Sequence, residues 1–315
     1  MRALLALALL WPLLVLGQYP AKPLRMVIPF PPGGATDIIG RVVAQKMGEH
    51  LGQNVVVDNR PGAGGTIGSE LVAKSAPDGY TILVSTNSTH AVAAVLSKPP
   101  YDPLRDFTPI TLLADSPNIL VISPRLGISN VKELIAAAKA RPGTLSFASS
   151  GNGTIIHLTG EMFKQMAGVD MLHVPYKGTA LSIPDLANGR VTILFDNIVS
   201  AQPHLRSGTV KALAVTSKAR SALMPDLPTM SEAGLAGFDS TAWFALFGPA
   251  GLPAEIRTRL HEAAVAALKA PDARERLAAA GAEISGAGGD ELTSLMRGDI
   301  AKWGRVVKTG NIKAD

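Results

Sequence analysis

Short apolar runs and helix-period apolar faces alternate along nearly the whole chain. Residues 24–28, 54–57 and 80–84 are brief, largely aliphatic runs between turn-forming residues, and they read as strands. Between the first two, Ile38, Ile39, Val42, Val43 and Met47 recur at a spacing that sets them on one helix face, which Gly52 ends as a C-terminal cap. A second helix is predicted over 65–74, stopped by Pro77-Asp78-Gly79. From Asn118 a second series begins, with strands predicted at 118–123, 145–149, 171–174, 190–195 and 210–216. Its first helix has Asn130 three residues before Glu133, a capping box, and halts at Arg141-Pro142-Gly143. Its second sets Ile155, Leu158, Met162, Phe163 and Met166 at helical spacing before Gly168, and a third covers 179–188. Strands alternating with helices through short loops predict an α/β protein with mainly parallel sheets flanked by helices.

The tail breaks this rhythm. After a Pro- and Gly-rich stretch at 224–237, one more strand is predicted at 240–247, then helices after Pro253, after Pro271 and from Asp290. Helices without their own strands cannot bury their apolar faces alone, so this tail must return to the first series. The expected organisation is a discontinuous first domain, residues 18–113 plus 242–315, with a second domain, 120–216, inserted into it. The crossings at 114–119 and 217–241 would act as hinges.

The amino terminus reads as an address. Met1-Arg2 precedes an apolar run over 3–16, shorter than the roughly 20 residues of a membrane-spanning helix. Gly17 stands before a cleavage point ahead of Gln18, so residues 1–17 read as a secretory signal peptide. The chain has no cysteine, which excludes disulfides, thiolate metal sites and a lipid-anchored cysteine. A freely diffusing periplasmic protein is the expectation, with no later segment suited to membrane insertion. Removing 17 from 315 residues leaves 298, enough for two domains. The net charge of +5 comes from basic residues scattered singly, and only 5% of residues are aromatic, so no nucleic-acid surface is expected. Nothing in the sequence signals oligomerisation, and a monomer is the default.

Candidate chemistry is sparse on the catalytic side. The six histidines are widely spaced, and no nucleophile elbow, zinc motif or phosphate loop is present, so neither a catalytic centre, a metal nor a cofactor is expected. Gly62-Ala63-Gly64-Gly65-Thr66-Ile67-Gly68 departs from a dinucleotide fingerprint at Ile67 and is separated from its strand. Two other glycine loops each follow a strand and open into a helix: Phe30-Pro31-Pro32-Gly33-Gly34-Ala35-Thr36-Asp37 and Ser149-Ser150-Gly151-Asn152-Gly153-Thr154. The first N–H groups of a helix lack intrahelical acceptors, and the helix dipole favours an anion there. Two such loops in separate halves predict a cleft that grips one small acid from both sides. Asn87, Ser88 and His90, at the end of the third strand, offer further polar groups, and His157 stands one turn into the second helix. Asp196 follows another strand and either accepts from a ligand amine or caps the next helix; Asp37 divides between the same two roles, and Lys177 between a ligand ion pair and solvent.

Four motifs in order carry a family resemblance: residues 25–37, RMVIPFPPGGATD; residues 56–65, VVDNRPGAGG; residues 76–81, APDGYT; and residues 174–178, VPYKG. The chain resembles the Bug-type receptors, the periplasmic solute-binding components of tripartite tricarboxylate transporters, over essentially the whole length after the leader. The resemblance implies a two-domain type II periplasmic-binding-protein fold with the ligand cleft between the domains. It also implies a small carboxylate ligand, whether a di- or tricarboxylate, an acidic amino acid or an aromatic acid, and membrane transporter subunits as partners. Carried over by position, Phe30, Pro31, Gly33, Gly34, Ala35, Thr36 and Asp37 match a loop that holds a ligand carboxylate. Asn87, Ser88, His90, Ser149, Asn152, Gly153 and Thr154 fall in segments that match further contacts, and Asp196 matches a position that meets the ammonium group in amino-acid-binding members. Two rival readings use the same cleft: a sensor docking on a signalling kinase, and an exported enzyme with His157 or His90 as base and Asp196 orienting it.

Overall fold

The computed structural model describes residues 19–313, so the leader expected over 1–17 lies outside the described residues. In the first series β1 (Leu24–Ile28), α1 (Ala35–Leu51), β2 (Val55–Asn59), α2 (Thr66–Ala73) and β3 (Thr81–Thr86) follow the predicted alternation. β1 lies between β2 and β3 and is parallel to both. Ile39, Val42, Val43 and Met47 of α1 are buried, and Gly52 ends the helix at φ +70°, donating its N–H to the Gly48 carbonyl. A π-helical turn at Ser88–Val92 leads into α3 (Ala93–Leu96).

A single long strand, β4 (Phe107–Ile122), then carries the chain from one half of the sheet to the other. The second half holds α4 (Val131–Ala140), β5 (Ser146–Ser149), α5 (Ile155–Ala167), β6 (Leu172–Pro175), α6 (Ile183–Ala187), β7 (Ile193–Asn197), α7 (Ile198–Arg206) and β8 (Lys211–Val215). The expected cap of α4 is present: Asn130 Oδ1 accepts from Glu133 N at 2.9 Å, while Glu133 reaches back to Ser129 N at 2.7 Å. The chain returns through β9 (Thr241–Pro249) and closes with α8 (Ala254–Lys269), α9 (Pro271–Ala280), β10 (Glu283–Ile284) and α10 (Gly289–Thr309). As expected of the tail, α8 packs on α1 and α10 lies over β4 and the π-turn, burying Leu292, Met296 and Trp303.

The strand order is β2-β1-β3-β9-β4-β7-β5-β6, with β8 and β10 also paired to β4. The sheet is therefore mixed, where mainly parallel sheets were expected. β9 runs antiparallel between β3 and β4, and β4 runs antiparallel to β7 and β8. The physical reason is the double crossing: β4 leaving and β9 returning run side by side in opposite directions. The crossing at 114–119 is strand throughout, and Thr216 N donates to the Asn118 carbonyl at 2.8 Å while Ser240 N donates to Thr216 O at 2.9 Å. These bonds fix the return segment to the outgoing one.

Candidate ligand-binding cavity

Four helix beginnings converge on one cavity. After β1, Gly33 at φ +87° makes a turn that strains any L side chain, and Gly34 precedes α1 with no side-chain cap. The N–H groups of Ala35 and Thr36 are consequently left without intrahelical acceptors. After β5, Thr154 caps α5, and Ile155 and Ile156 open that helix onto the cavity. Gly178, Thr179 and Ala180 begin a 3-10 turn at Thr179–Ser182, and Asn197 stands ahead of α7 without a side-chain cap. Phe30, Pro31, Pro32, Thr86, Ser88 and Phe244 complete most of the wall. Among the described residues none that lines the cavity is charged. The space is narrow, with about 40 Å³ open to the centres of water-sized atoms, against the roughly 10–15 Å³ that one water needs.

The two halves of the sheet touch around this cavity. Ser88 Oγ, from the first half, accepts from Ile155 N in the second at 3.0 Å. Gly178 stands so close to Pro31 that a Cβ on it would lie 3.0 Å from the proline Cδ and Cγ. Gly64 backs on the Asn152 carbonyl, which a Cβ there would meet at 2.7 Å.

Of the sequence candidates, Phe30, Pro31, Gly34, Ala35, Thr36 and Ser88 line this cavity, and the others are not part of its lining. Asp37 holds the first loop: it accepts from Gly33 N at 3.0 Å, Asn59 Nδ2 at 2.9 Å and Arg41 Nε at 2.9 Å. Burial pushes its carboxyl up, but the hydrogen bonds from Arg41, Asn59 and Gly33 outweigh this and hold it below the usual range. Asn87 turns away, donating to Thr241 O at 3.0 Å and to Asp299 at 3.3 Å. His90 is buried and stacked on Phe247 at 4.0 Å between ring centroids, with Nδ1 2.8 Å from Thr89 Oγ1. Burial takes its pKa down to about 3.

The second loop is organised by side chains that the sequence had offered to the ligand. Ser149 Oγ bonds His173 Nε2 at 2.7 Å and receives Gly151 N at 3.1 Å. Thr154 Oγ1 donates to Gly151 O at 2.8 Å and accepts from His157 N at 3.4 Å. Gly153 N donates to His157 Nδ1 at 3.2 Å, and the His157 ring stacks on His173 at 4.0 Å. Burial, with the Lys164 charge beside it, lowers His157 to about 4. Asn152 presents its backbone to Gly64 and does not line the cavity. Both histidines considered as bases are thus buried packing groups outside the lining of the cavity.

Asp196 is 1% exposed and also lies behind the lining. Its Oδ1 accepts from Asn197 N at 2.9 Å and Ser200 Oγ at 2.6 Å, while Oδ2 makes no hydrogen bond. Burial raises the carboxyl to about 6, only partly opposed by Ser200, Thr179 and the Asn197 N–H. Thr86, Gly178, Thr179 and Asn197 were not named as candidates, although the polar strand end, the VPYKG turn and the strand end at Asp196 beside them were visible, and Ser150 lies in the second glycine loop that was singled out.

The family model described as "Tripartite tricarboxylate transporter family receptor" matches residues 39–312. The chain is 39% identical over 297 residues to Protein BugT of Bordetella pertussis, spanning 94% of this chain and 91% of that one. Among solved structures, R. palustris Rpa4515 with adipate superposes at a TM-score of 0.91 and 38% identity, covering 94% of this chain and 99% of that one. MatC from Rhodopseudomonas palustris with bound malate superposes at 0.87 and 34% identity, covering 92% and 100%.

Proposed function

The chain belongs to the tripartite tricarboxylate transporter receptor family, and on that premise we propose that it captures a small open-chain di- or tricarboxylate in the periplasm. It delivers that acid to membrane transporter subunits carried on other chains. The observation that bears most weight is the convergence of four helix beginnings on one narrow cavity without a charged side chain. Free N–H groups and helix dipoles stabilise a carboxylate without the cost of desolvating a full cation. The hydroxyls of Thr86 and Ser88, which accept from Ser88 N and Ile155 N, keep their own protons to donate to the ligand. The narrowness of the cavity favours a short chain over an aromatic ring, and the adipate and malate held by the two solved relatives agree with that class.

In this reading residues 18–113 with 242–315 form one lobe and 120–216 the other, the segments 114–119 and 217–241 flex, and the contacts of Ser88, Gly178 and Gly64 belong to the closed state. Thermal unfolding of the mature chain with malate, succinate, adipate, citrate, glutamate or benzoate tests it. A true ligand at a hundred times its Kd adds about 2.7 kcal/mol to stability, a rise of several degrees in Tm. If none of the six acids raises Tm, the reading falls. Ser88→Ala should then weaken the acid that stabilises best by about 2- to 10-fold in calorimetry, the effect of one cross-lobe hydrogen bond. An unchanged Kd would show that the Ser88–Ile155 contact plays no part in the bound state.

A further inference from the structure

A groove of about 520 Å³ runs beside the cavity, between α1, α7 and α9. It is lined by Arg41, Arg206 and Arg276, one from each helix, over an apolar floor that includes Val42, Val199 and Pro203. Arg41 is matched by Asp37, its partner at 2.9 Å. Among the described residues the other two arginines bond only neutral groups: Arg206 Nη2 donates to Ala279 O at 3.3 Å and Arg276 Nη1 to Gln45 Oε1 at 3.0 Å. Asp272, one turn before Arg276 on α9, is engaged by Lys46 at 2.7 Å. Two guanidinium groups therefore flank an apolar strip with no carboxylate of the described residues paired to them.

The groove is also placed where the two halves of the sheet meet. α7 follows β7 in the second half, whereas α1 and α9 pack together in the first. Ile198, the first residue of α7, sits on Gly281 so tightly that a Cβ there would lie 2.4 Å from its Cγ2. Asn197, one residue earlier, lines the ligand cavity.

We propose that this groove docks an acidic segment of the membrane-bound partner, an inference that rests on the receptor reading above. One inorganic anion needs a single guanidinium fork. Two separated forks with apolar surface between them match a peptide whose carboxylates flank apolar side chains.

The test is fluorescence anisotropy of a labelled peptide, four glutamates around two leucines, titrated with the full mature chain at low and moderate salt. The expected result is saturable binding that weakens by about tenfold in the R206A/R276A double variant and is absent for the same peptide with glutamines. R105A/R141A, which removes the same charge elsewhere, should bind the peptide like wild type. Equal loss in both double variants, or binding of the glutamine peptide, would overturn the proposal by showing general attraction or greasy contact. Displacement of the peptide by free malate would overturn it too, assigning the groove to small acids. The malate or adipate thermal shift is recorded on the same proteins. If that shift persists while peptide binding ignores Arg206 and Arg276, the groove alone is wrong. If peptide binding depends on both arginines while no acid shifts Tm, the groove is an acidic-peptide site, but the receptor reading falls and with it the membrane-bound partner as the occupant.

Discussion

On the proposed function, Gly178→Ala should cost roughly 10- to 100-fold in affinity for a dicarboxylate, a loss in the range of the 1–3 kcal/mol typical of an overpacked contact. The backbone at Gly178 is extended, φ 176°, a conformation open to any residue, so the substitution brings no strain of its own. The new methyl group meets Pro31 Cδ and Cγ at 3.0 Å across the cavity mouth. A proline ring cannot rotate aside as a long flexible side chain would. In the open state of the proposed two-lobe receptor the same methyl would face the emptied cleft, so the ligand-free Tm should stay within about a degree. Affinity and stability thus separate, which a merely misfolded variant would not show. Gly178→Val should go further in the same direction. Gly64→Ala makes the useful contrast, because φ +63° strains alanine in any state and should lower the ligand-free Tm as well. Calorimetry with malate or adipate gives the answer, and wild-type affinity in both Gly178 variants would mean that the bound state lacks this contact.

How far the sequence foretold this geometry depends on how local the cause was. The glycine loops at Gly33-Gly34 and Gly151–Gly153 are dictated by chain bending and by helix starts, and both can be read from neighbouring residues. The leading edge of β4 could not. Its segment contains Pro109 and Pro117, and its register shifts between Pro109 and Thr111 and again between Leu112 and Ala114, so no period-2 pattern survives there. Tertiary partners also decided which polar residues of each loop face inward. Asp37 is claimed by Asn59 on the next strand and by Arg41 one turn on, and His90 by Phe247 some 157 positions later (247 − 90). Gly178 and Asn197 join the cavity only because β5, lying between β6 and β7, sets their loops side by side.

Asp196→Asn should stabilise the ligand-free protein at neutral pH. The carboxylate is buried, with one oxygen in two hydrogen bonds and the other in none, and burial raises its pKa from 3.8 to about 6. A folded-state pKa above the unfolded one means that the native state holds the proton more tightly. The stability this group contributes is then fully present below about pH 4 and is lost as pH rises through about 6. At pH 7.5 the ionised Asp196 is a burden whose upper bound is about 3 kcal/mol, from 1.36 kcal/mol per pKa unit. Asparagine keeps an oxygen for Asn197 N and Ser200 Oγ and carries no charge, so a gain of about 1–3 kcal/mol, or a few degrees in Tm, is expected at that pH. The advantage should shrink steadily towards pH 4, where wild-type Asp196 is itself protonated. Asp115 and Asp299, also raised by burial, and the depressed His90 and His157 titrate alike in both proteins and cancel in the difference. Because Asp196 lies behind Thr179 and Asn197 and outside the lining, affinity for a dicarboxylate should change by no more than about 3-fold. Paired unfolding curves from pH 4 to 8 decide the matter: a difference that stays constant with pH, or a less stable variant at pH 7.5, would mean that Asp196 has a donor for Oδ2 and is no unsatisfied charge.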